Sequence, residues 1–457
     1  MCAQPISNEA LSEVRNRIER DKIEYIFLEC SDFHGISRGK VLPVDRFLEN
    51  SEDGFSIPAM QLIRLPKGDI PPMSNLPLSE EFSDFTFFPD FSTFKVIPWR
   101  KGVASVLVDP YTVSGEPVGF FTRHVARHQI ERLKDYGLSI LSALEYEFSL
   151  LDSKTLLPIH SDSTGHWIKN FFDDWDHLTS IHKNLSSMDL VVEQIDTEGE
   201  EGVYEFPIKP SLGLKAGDDA YWLKKTVREL SQQKGYLASF SSKPFIHSSG
   251  VGGHFNHSLL DLEGKERLFY DVENPHKMSK IMQHWLAGLI RHAPAMLIFG
   301  CPTASCQRRF ASPDRATPQY PDWGIDNRTC SFRVKNLTPE KTYIENRIFG
   351  SACNPYLTLA VNIAAGLDGI LNEIPLQRMV KGNAHSVAHV LPGAHKFSGR
   401  LSDALWELEQ DEVLRQALGE DFIRPYINAK KHECDRETEA YMKGDASFYD
   451  REYLAYL

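Results

Sequence analysis

The sequence predicts an α+β protein in two parts, the larger built on a mostly antiparallel sheet. Strand-like and helical segments mix along the chain without the strict alternation that a parallel sheet requires. The 457 residues exceed what one hydrophobic core usually organises. Short Phe-, Val- and Pro-rich runs dominate the early chain, whereas longer helical periods begin near Thr122.

Residues 7–21 have helical spacing, with Leu11, Val14 and Ile18 on one face. Residues 24–29 then read as a strand, 31–35 as a turn and 39–43 as a returning strand. Residues 84–109 suit short strands and turns, so residues 1–112 read as a small, mainly β domain carrying one helix. The larger domain, residues 113–457, opens with a helix over 122–136, where Val125, Ile130 and Leu133 fall at helical intervals and Gly137 stops the run. Strands follow at 139–150, 202–208, 252–259, 330–334 and 342–348, with helices near 218–233, 279–292 and 354–372. Residues 302–321, dense in Arg, Ser and Pro, read as irregular.

Composition narrows the functional classes. A formal charge of −13 disfavours a nucleic-acid surface, although a local arginine cluster could still hold a phosphate-bearing ligand. No apolar stretch is long enough to span a membrane, and Met1 to Pro5 begins no secretory leader, so a cytoplasmic location is expected. Seven cysteines are spread from Cys2 to Cys434, and Cys301 with Cys306 lacks a second pair to complete a zinc motif. Reduced, mostly buried thiols are expected.

The informative residues are acidic. In Leu144-Glu145-Tyr146-Glu147-Phe148, strand alternation sends both glutamates to one face and the apolar side chains to the other. Two close carboxylates repel unless a cation sits beside them. Glu198 to Glu205 adds a second acidic group, with Gly199 and Gly202 permitting tight turns. Ser249-Gly250-Val251-Gly252-Gly253-His254 runs on into Phe255-Asn256-His257-Ser258 and matches neither the dinucleotide fingerprint nor the phosphate-binding loop. Glu345 and Arg347 share a strand face. Taken singly, these segments read as solvated strand faces, an acidic loop, a structural histidine and a surface ion pair.

In order, however, they resemble the glutamine synthetase family, class I type, across nearly the whole chain. The family's Pro-Glu-Xaa-Glu-Phe strand stands here as Leu144 to Phe148, and its glutamate loop as Glu198 to Glu205, with Val203 in place of a glutamine. Its Asn-Arg-Ser…Arg segment stands as Asn327 to Arg333, and its last strand and helix start as Ile344 to Leu357. The segments 32–38 and 323–327, and more weakly 414–420, resemble the lengsin branch, a vertebrate lens relative. The Trp-Gly…Asn-Arg and Glu-Asn-Arg wording also resembles bacterial ligases that join glutamate to polyamines.

The resemblance implies a β-grasp-like N-terminal domain and a catalytic-type domain with a funnel-shaped site. One divalent metal, Mg²⁺ or Mn²⁺, would take Glu147, Glu198 and Glu205; a second would take Glu145, His254 and Glu345. ATP would be a substrate, and Ser56, Gly250, Asn256 and Ser258 would belong to the substrate- and ATP-binding set. Arg309, Arg328, Arg333 and Arg347 stand where the family binds substrate carboxylate or phosphoryl oxygen. Asp53 to Ile57, including Ser56, resembles a loop that enters the neighbouring subunit's site, where Asp53 would help deprotonate the incoming nitrogen. The implied assembly is a homo-oligomer of two stacked hexamers, with residues 447–457 as a strap between rings.

One segment departs from the family. The flap glutamate that helps bind ammonium is replaced by Arg315 counting forward from Arg309, or by Ala316 counting back from Trp323, with Asp314 the nearest carboxylate. A cation about 4 Å from bound ammonium would oppose it by roughly 4 kcal/mol at an effective dielectric near 20. Asn256, where many relatives carry a second histidine, is another departure. Two functions follow: an ATP-dependent ligase joining the γ-carboxylate of glutamate to ammonia or a larger amine, or a lengsin-like structural protein, lens- or cytoskeleton-associated, that keeps the fold without turnover.

Overall fold

The computed structural model describes residues 8–72, 83–160, 166–200, 202–311, 316–387 and 395–457. Two sheets organise it. The first contains β1 (Tyr25–Ser31), β2 (Ser37–Pro43), β3 (Phe55–Pro58), β4 (Asp84–Pro89), β5 (Lys95–Val96) and β6 (Val103–Tyr111). Their order is β2-β1-β6-β4-β3, with β5 also on β6, and the central pair β1–β6 is parallel. The expected opening hairpin is present, pairing Tyr25 with Pro43 through to Ser31 with Ser37. Its turn is held by Asp32, whose Oδ1 accepts from the amides of His34 at 2.9 Å and Ile36 at 3.0 Å.

The second sheet contains β7 (Leu138–Asp152), β8 (Asp196–Thr197), β9 (Val203–Glu205), β10 (Ser211–Leu212), β11 (Tyr236–Ser239), β12 (Gly253–Asp261), β13 (Trp323–Ile325), β14 (Phe332–Asn336) and β15 (Thr342–Asn346). The order is β13-β14-β15-β12-β7-β9-β8, with β10 and β11 also on β7. Among the described strands of this sheet only β13 and β14 pair in parallel. The α+β class and the mostly antiparallel sheet are therefore as the sequence predicts.

Helices cover one face. Lys280–Gly300 and Pro355–Leu371 cross so closely that a Cβ at Gly288 would lie 2.2 Å from the carbonyl oxygen of Ala365. Lys280–Gly300 runs beyond the expected end at residue 292 and continues through Pro294, because burial of both flanking turns outweighs one lost backbone bond. The stretch 302–321, expected to be irregular, contains the helix Ala304–Ala311, whose last turn carries Arg308 and Arg309. No helix among the described residues is long and apolar enough to cross a membrane.

A buried arginine joins the two sheets' surroundings. Arg123, on the helix Thr122–Asp135, pairs with Asp109 of β6 at 2.8 Å, with Asp90 after β4 at 2.7 Å and with Asp218 of the helix Leu214–Gln233 at 2.9 Å. Within the single chain, part of the segment 447–457 packs on its own fold. Phe448, Tyr453, Leu454 and Leu457 are buried, and the Leu457 carbonyl accepts from the Phe240 amide at 2.8 Å.

Candidate active site

Alternation on six adjacent strands builds the site. On β7, Leu144, Tyr146 and Phe148 turn into the core, which sends Glu145 and Glu147 to the opposite face. Antiparallel register then brings partners alongside. Glu147 lies opposite Glu205 of β9, which itself lies opposite Asp196 of β8. On the other flank Glu145 faces His254 of β12, Asn256 faces Glu345 of β15, and Glu345 faces Arg333 of β14. One face of the sheet thus carries carboxylates on one flank and guanidinium groups on the other.

Two ligand groups converge there. Glu147, Glu198 and Glu205 bring one oxygen each within 4.8 Å of one another, and so do ligand atoms of Glu145, Glu205 and His254. Glu205 belongs to both. Glu345 stands beside the second group, with Oε1 3.6 Å from His254 Nδ1, but its carboxylate is also taken by Arg347 Nη1 and by Arg333 Nη1, the latter at 2.9 Å.

The electrostatics suit a cation. Burial, then the neighbouring Glu345, pushes Glu145 up to about 7; burial, then Glu147 and Asp196, pushes Glu198 up to about 8. Glu205 is raised well above the ordinary range by burial and by Glu145, Glu147 and Glu198. His254 is held neutral by burial and by Arg347, which leaves a ring nitrogen free to ligate. Burial would raise Glu345 too, but Arg347 and Arg333 outweigh it and bring the group down to about 2. Oxygen-rich carboxylates with one neutral imidazole fit Mg²⁺ or Mn²⁺, whose charge would relieve this crowding.

The glycine-rich segment crosses the site edge-on. Gly252 donates its amide to Glu147 Oε2 at 2.7 Å, and a Cβ there would lie 2.6 Å from Glu147 Oε1 and 2.9 Å from His254 Nε2. Gly250 lies against Arg309, where a Cβ would meet Nε at 3.1 Å. Arg309 is buried and donates from Nη1 to the Phe349 carbonyl at 2.8 Å. Its Nε, the Nε of Arg347, Asn256 Oδ1 and Ser258 Oγ are buried without a hydrogen-bond partner among the described residues. Buried donors and acceptors left unpaired are costly, which suits groups that await a ligand. Arg328 is exposed, and with Arg333 and Lys381 it lines a recess of about 660 Å³.

The structure leaves other named residues apart from this face. Asp53 sits in an exposed turn before β3, and Ser56, on β3, donates its hydroxyl to Asp84. Asp314 and Arg315 lie outside the described residues, and Ala316 is exposed. Sequence reasoning passed over Asp196, whose signal was its place two residues before Glu198 in an acidic run, and Asp326. Asp326 has a positive φ of 48° and holds Arg333 through Oδ1, with Nε at 2.9 Å. It also accepts from Lys335 at 2.8 Å.

This face sets a carboxylate–histidine cluster opposite arginines on an antiparallel sheet. Residues 120–449 match the model of the glutamine synthetase catalytic domain, and the chain belongs to the glutamine synthetase family. It is 30% identical over 437 residues to lengsin of Homo sapiens, covering 95% of this chain and 84% of that protein. It is likewise 30% identical over 431 residues to a glutamate–isopropylamine ligase of a Pseudomonas species, covering 92% and 93%. A solved structure described as a GmaS/ADP complex superposes with a TM-score of 0.83 at 23% identity, covering 95% of this chain and 97% of the other. That likeness supports the same fold.

Proposed function

We propose that this chain is an ATP-dependent ligase that activates the γ-carboxylate of glutamate as γ-glutamyl phosphate and transfers the glutamyl group to ammonia or, preferentially, a larger amine. The observation that carries this reading is the convergence of two ligand groups on Glu205 opposite buried arginines with unmade hydrogen bonds. The isopropylamine ligase among the relatives supports an alkylamine as acceptor.

In this reading Glu147, Glu198 and Glu205 hold one Mg²⁺ or Mn²⁺, and Glu145, His254 and Glu345 the other, with Glu205 shared between them. The ions supply charge neutralisation for the phosphoryl oxygens. Arg309 takes the substrate carboxylate, while Arg328, Arg333 and Arg347 face the transferred group; Gly250, Asn256 and Ser258 serve the nucleotide. An amine of pKa near 10 must lose a proton at neutral pH, at a cost of about 4 kcal/mol. Asp53 and Ser56, on the domain formed by residues 1–112, supply that end of a neighbouring subunit's site in a cytoplasmic homo-oligomer of two stacked hexamers. Asp314 and Arg315 set the acceptor's size and charge.

The test is phosphate release with glutamate and Mg-ATP across ammonia, alkylamines and polyamines. Release is expected with at least one alkylamine and is expected to vanish in Glu345→Ala. Silence across all acceptors in a folded oligomer would sink the reading and leave the lengsin-like, non-catalytic one.

A further inference from the structure

Lys224 is buried in the helix Leu214–Gln233, on the side of the sheet away from the carboxylates. Its ammonium donates to the carbonyls of Ser351 at 2.7 Å and Cys353 at 3.2 Å, and it lies 4.3 Å from the ring centre of Tyr146 and 5.0 Å from that of Phe240. No carboxylate pairs with it among the described residues. Burial, then the nearby Arg228, pushes this amine down to about 7, so its charge is costly there, and an apolar chain of the same length would pack more cheaply.

What it touches suggests why it is there. Its two acceptors belong to the loop from Phe349 to Cys353, where several parts of the site meet. Phe349 accepts from Arg309 Nη1 at 2.8 Å and from the Gly253 amide at 3.1 Å. Ser351 donates its hydroxyl to the Glu147 carbonyl and its amide to the Val251 carbonyl at 3.1 Å. The Cys353 carbonyl accepts from the Tyr146 hydroxyl at 3.0 Å, and Tyr146 lies between Glu145 and Glu147 on β7. Three approaches to the site therefore converge on the carbonyls of one loop: the arginine, the glycine-rich segment and the glutamate strand. Cation–π contact with Tyr146 and Phe240 and the two carbonyls keep the ammonium in place.

We propose that Lys224 is a positioning residue for the glutamate side of the site: from behind the sheet it fixes the Phe349–Cys353 loop, and through that loop the guanidinium of Arg309 and the backbone of Glu147 and Gly253. The functional half of the statement rests on the ligase reading above; the structural half does not.

The experiment compares the full-length assembly with its Lys224→Met variant in two measurements. Amide hydrogen exchange, read by mass spectrometry on peptides covering 249–254 and 347–354, needs no turnover. Exchange there is expected to rise by about tenfold, the equivalent of one lost hydrogen bond to a charged donor, while peptides of the first sheet stay unchanged. Steady-state kinetics with the amine found active should show KM for glutamate raised by about tenfold and KM for ATP nearly unchanged, the pattern of a lost binding geometry. Unchanged exchange in both peptides overturns the proposal. So does a raised exchange with wild-type KM for glutamate, because the loop would then not position Arg309. If no amine supports turnover, the ligase reading fails, and the exchange result decides the structural half alone. Should Lys224→Met not assemble, Lys224→Gln, which keeps a donor but lacks the reach, takes its place with the same two readings.

Discussion

At the scale of the residue, Glu205 carries more than any other side chain, because both ligand groups include it. Glu205→Gln keeps the shape and removes the charge. Added Mg²⁺ is expected to raise the melting temperature of the wild-type protein and to leave that of Glu205→Gln nearly unmoved, as scanning calorimetry would show. Equal shifts in both would refute the shared-ligand role. Gly252 is the second decisive position. A methyl group there would stand 2.6 Å from Glu147 Oε1, closer than non-bonded atoms allow, so Gly252→Ala must displace the glutamate or the loop. The expected outcome is a Mg²⁺ affinity lowered by about tenfold, comparable to losing support for a ligand, measured by isothermal titration. Much of this was legible beforehand: strand alternation alone put Glu145 with Glu147. It could not reveal that Glu205 would serve two groups, since that depends on which strands become neighbours.

At the scale of the element, His292 joins three helices. From Lys280–Gly300 its Nε2 meets Asp368 of Pro355–Leu371 at 2.9 Å, and its Nδ1 meets Asp411, the cap of Glu412–Leu418, at 2.6 Å. Burial opposes its charge, but Asp411 and Asp368 outweigh burial and raise its pKa above the ordinary 6.5. The raised value fixes the sign: the clamp's stabilisation is complete below pH 6.5 and fades as pH rises through the higher folded value. His292→Gln should therefore lower the melting temperature most near pH 6 and progressively less at higher pH, followed by circular dichroism. A pH-independent difference would show that packing, not charge, holds these helices.

Elements were also where sequence reasoning was least complete. The helix Ala304–Ala311 was hidden because prolines and arginines around it mimic a loop; tertiary burial of Phe310 and Cys306 settles it. Helices Trp175–Ser187, Leu401–Gln410, Glu412–Leu418 and Glu420–Met442 were not read at all. Short strands such as β8 and β10, two residues each, lack any periodic signal and exist only through their partners.

At the scale of the whole molecule, the first sheet is fastened to the second part of the chain through Arg123 and its three carboxylates. Arg123→Met would leave Asp218 buried without its cation and Asp109 with only Arg127, at 2.6 Å. The expected loss is about 3–5 kcal/mol, read as a lower denaturant midpoint. In the proposed reading, Asp53 and Ser56 complete the site of a neighbouring subunit. Co-assembly of Asp53→Ala with Glu345→Ala subunits should then restore part of the activity that each homo-oligomer lacks. No recovery in verified mixed oligomers would place each site within a single subunit.

The sequence by itself determined the local facts: the strand on which Glu145 and Glu147 share a face, the hairpin around Asp32, the glycines beside His254, and the family. These depend on neighbours in the chain, where spacing of two or of about 3.6 residues decides which way a side chain points. Only the tertiary structure decided which carboxylates meet, that Arg333 and Arg347 both claim Glu345, and that Lys224 reaches the Phe349–Cys353 loop from behind the sheet. Apart from Arg347 with Glu345, which stand two residues apart, those pairings join residues well separated in the chain, and their cause is strand register and helix packing, to which local periodicity is blind.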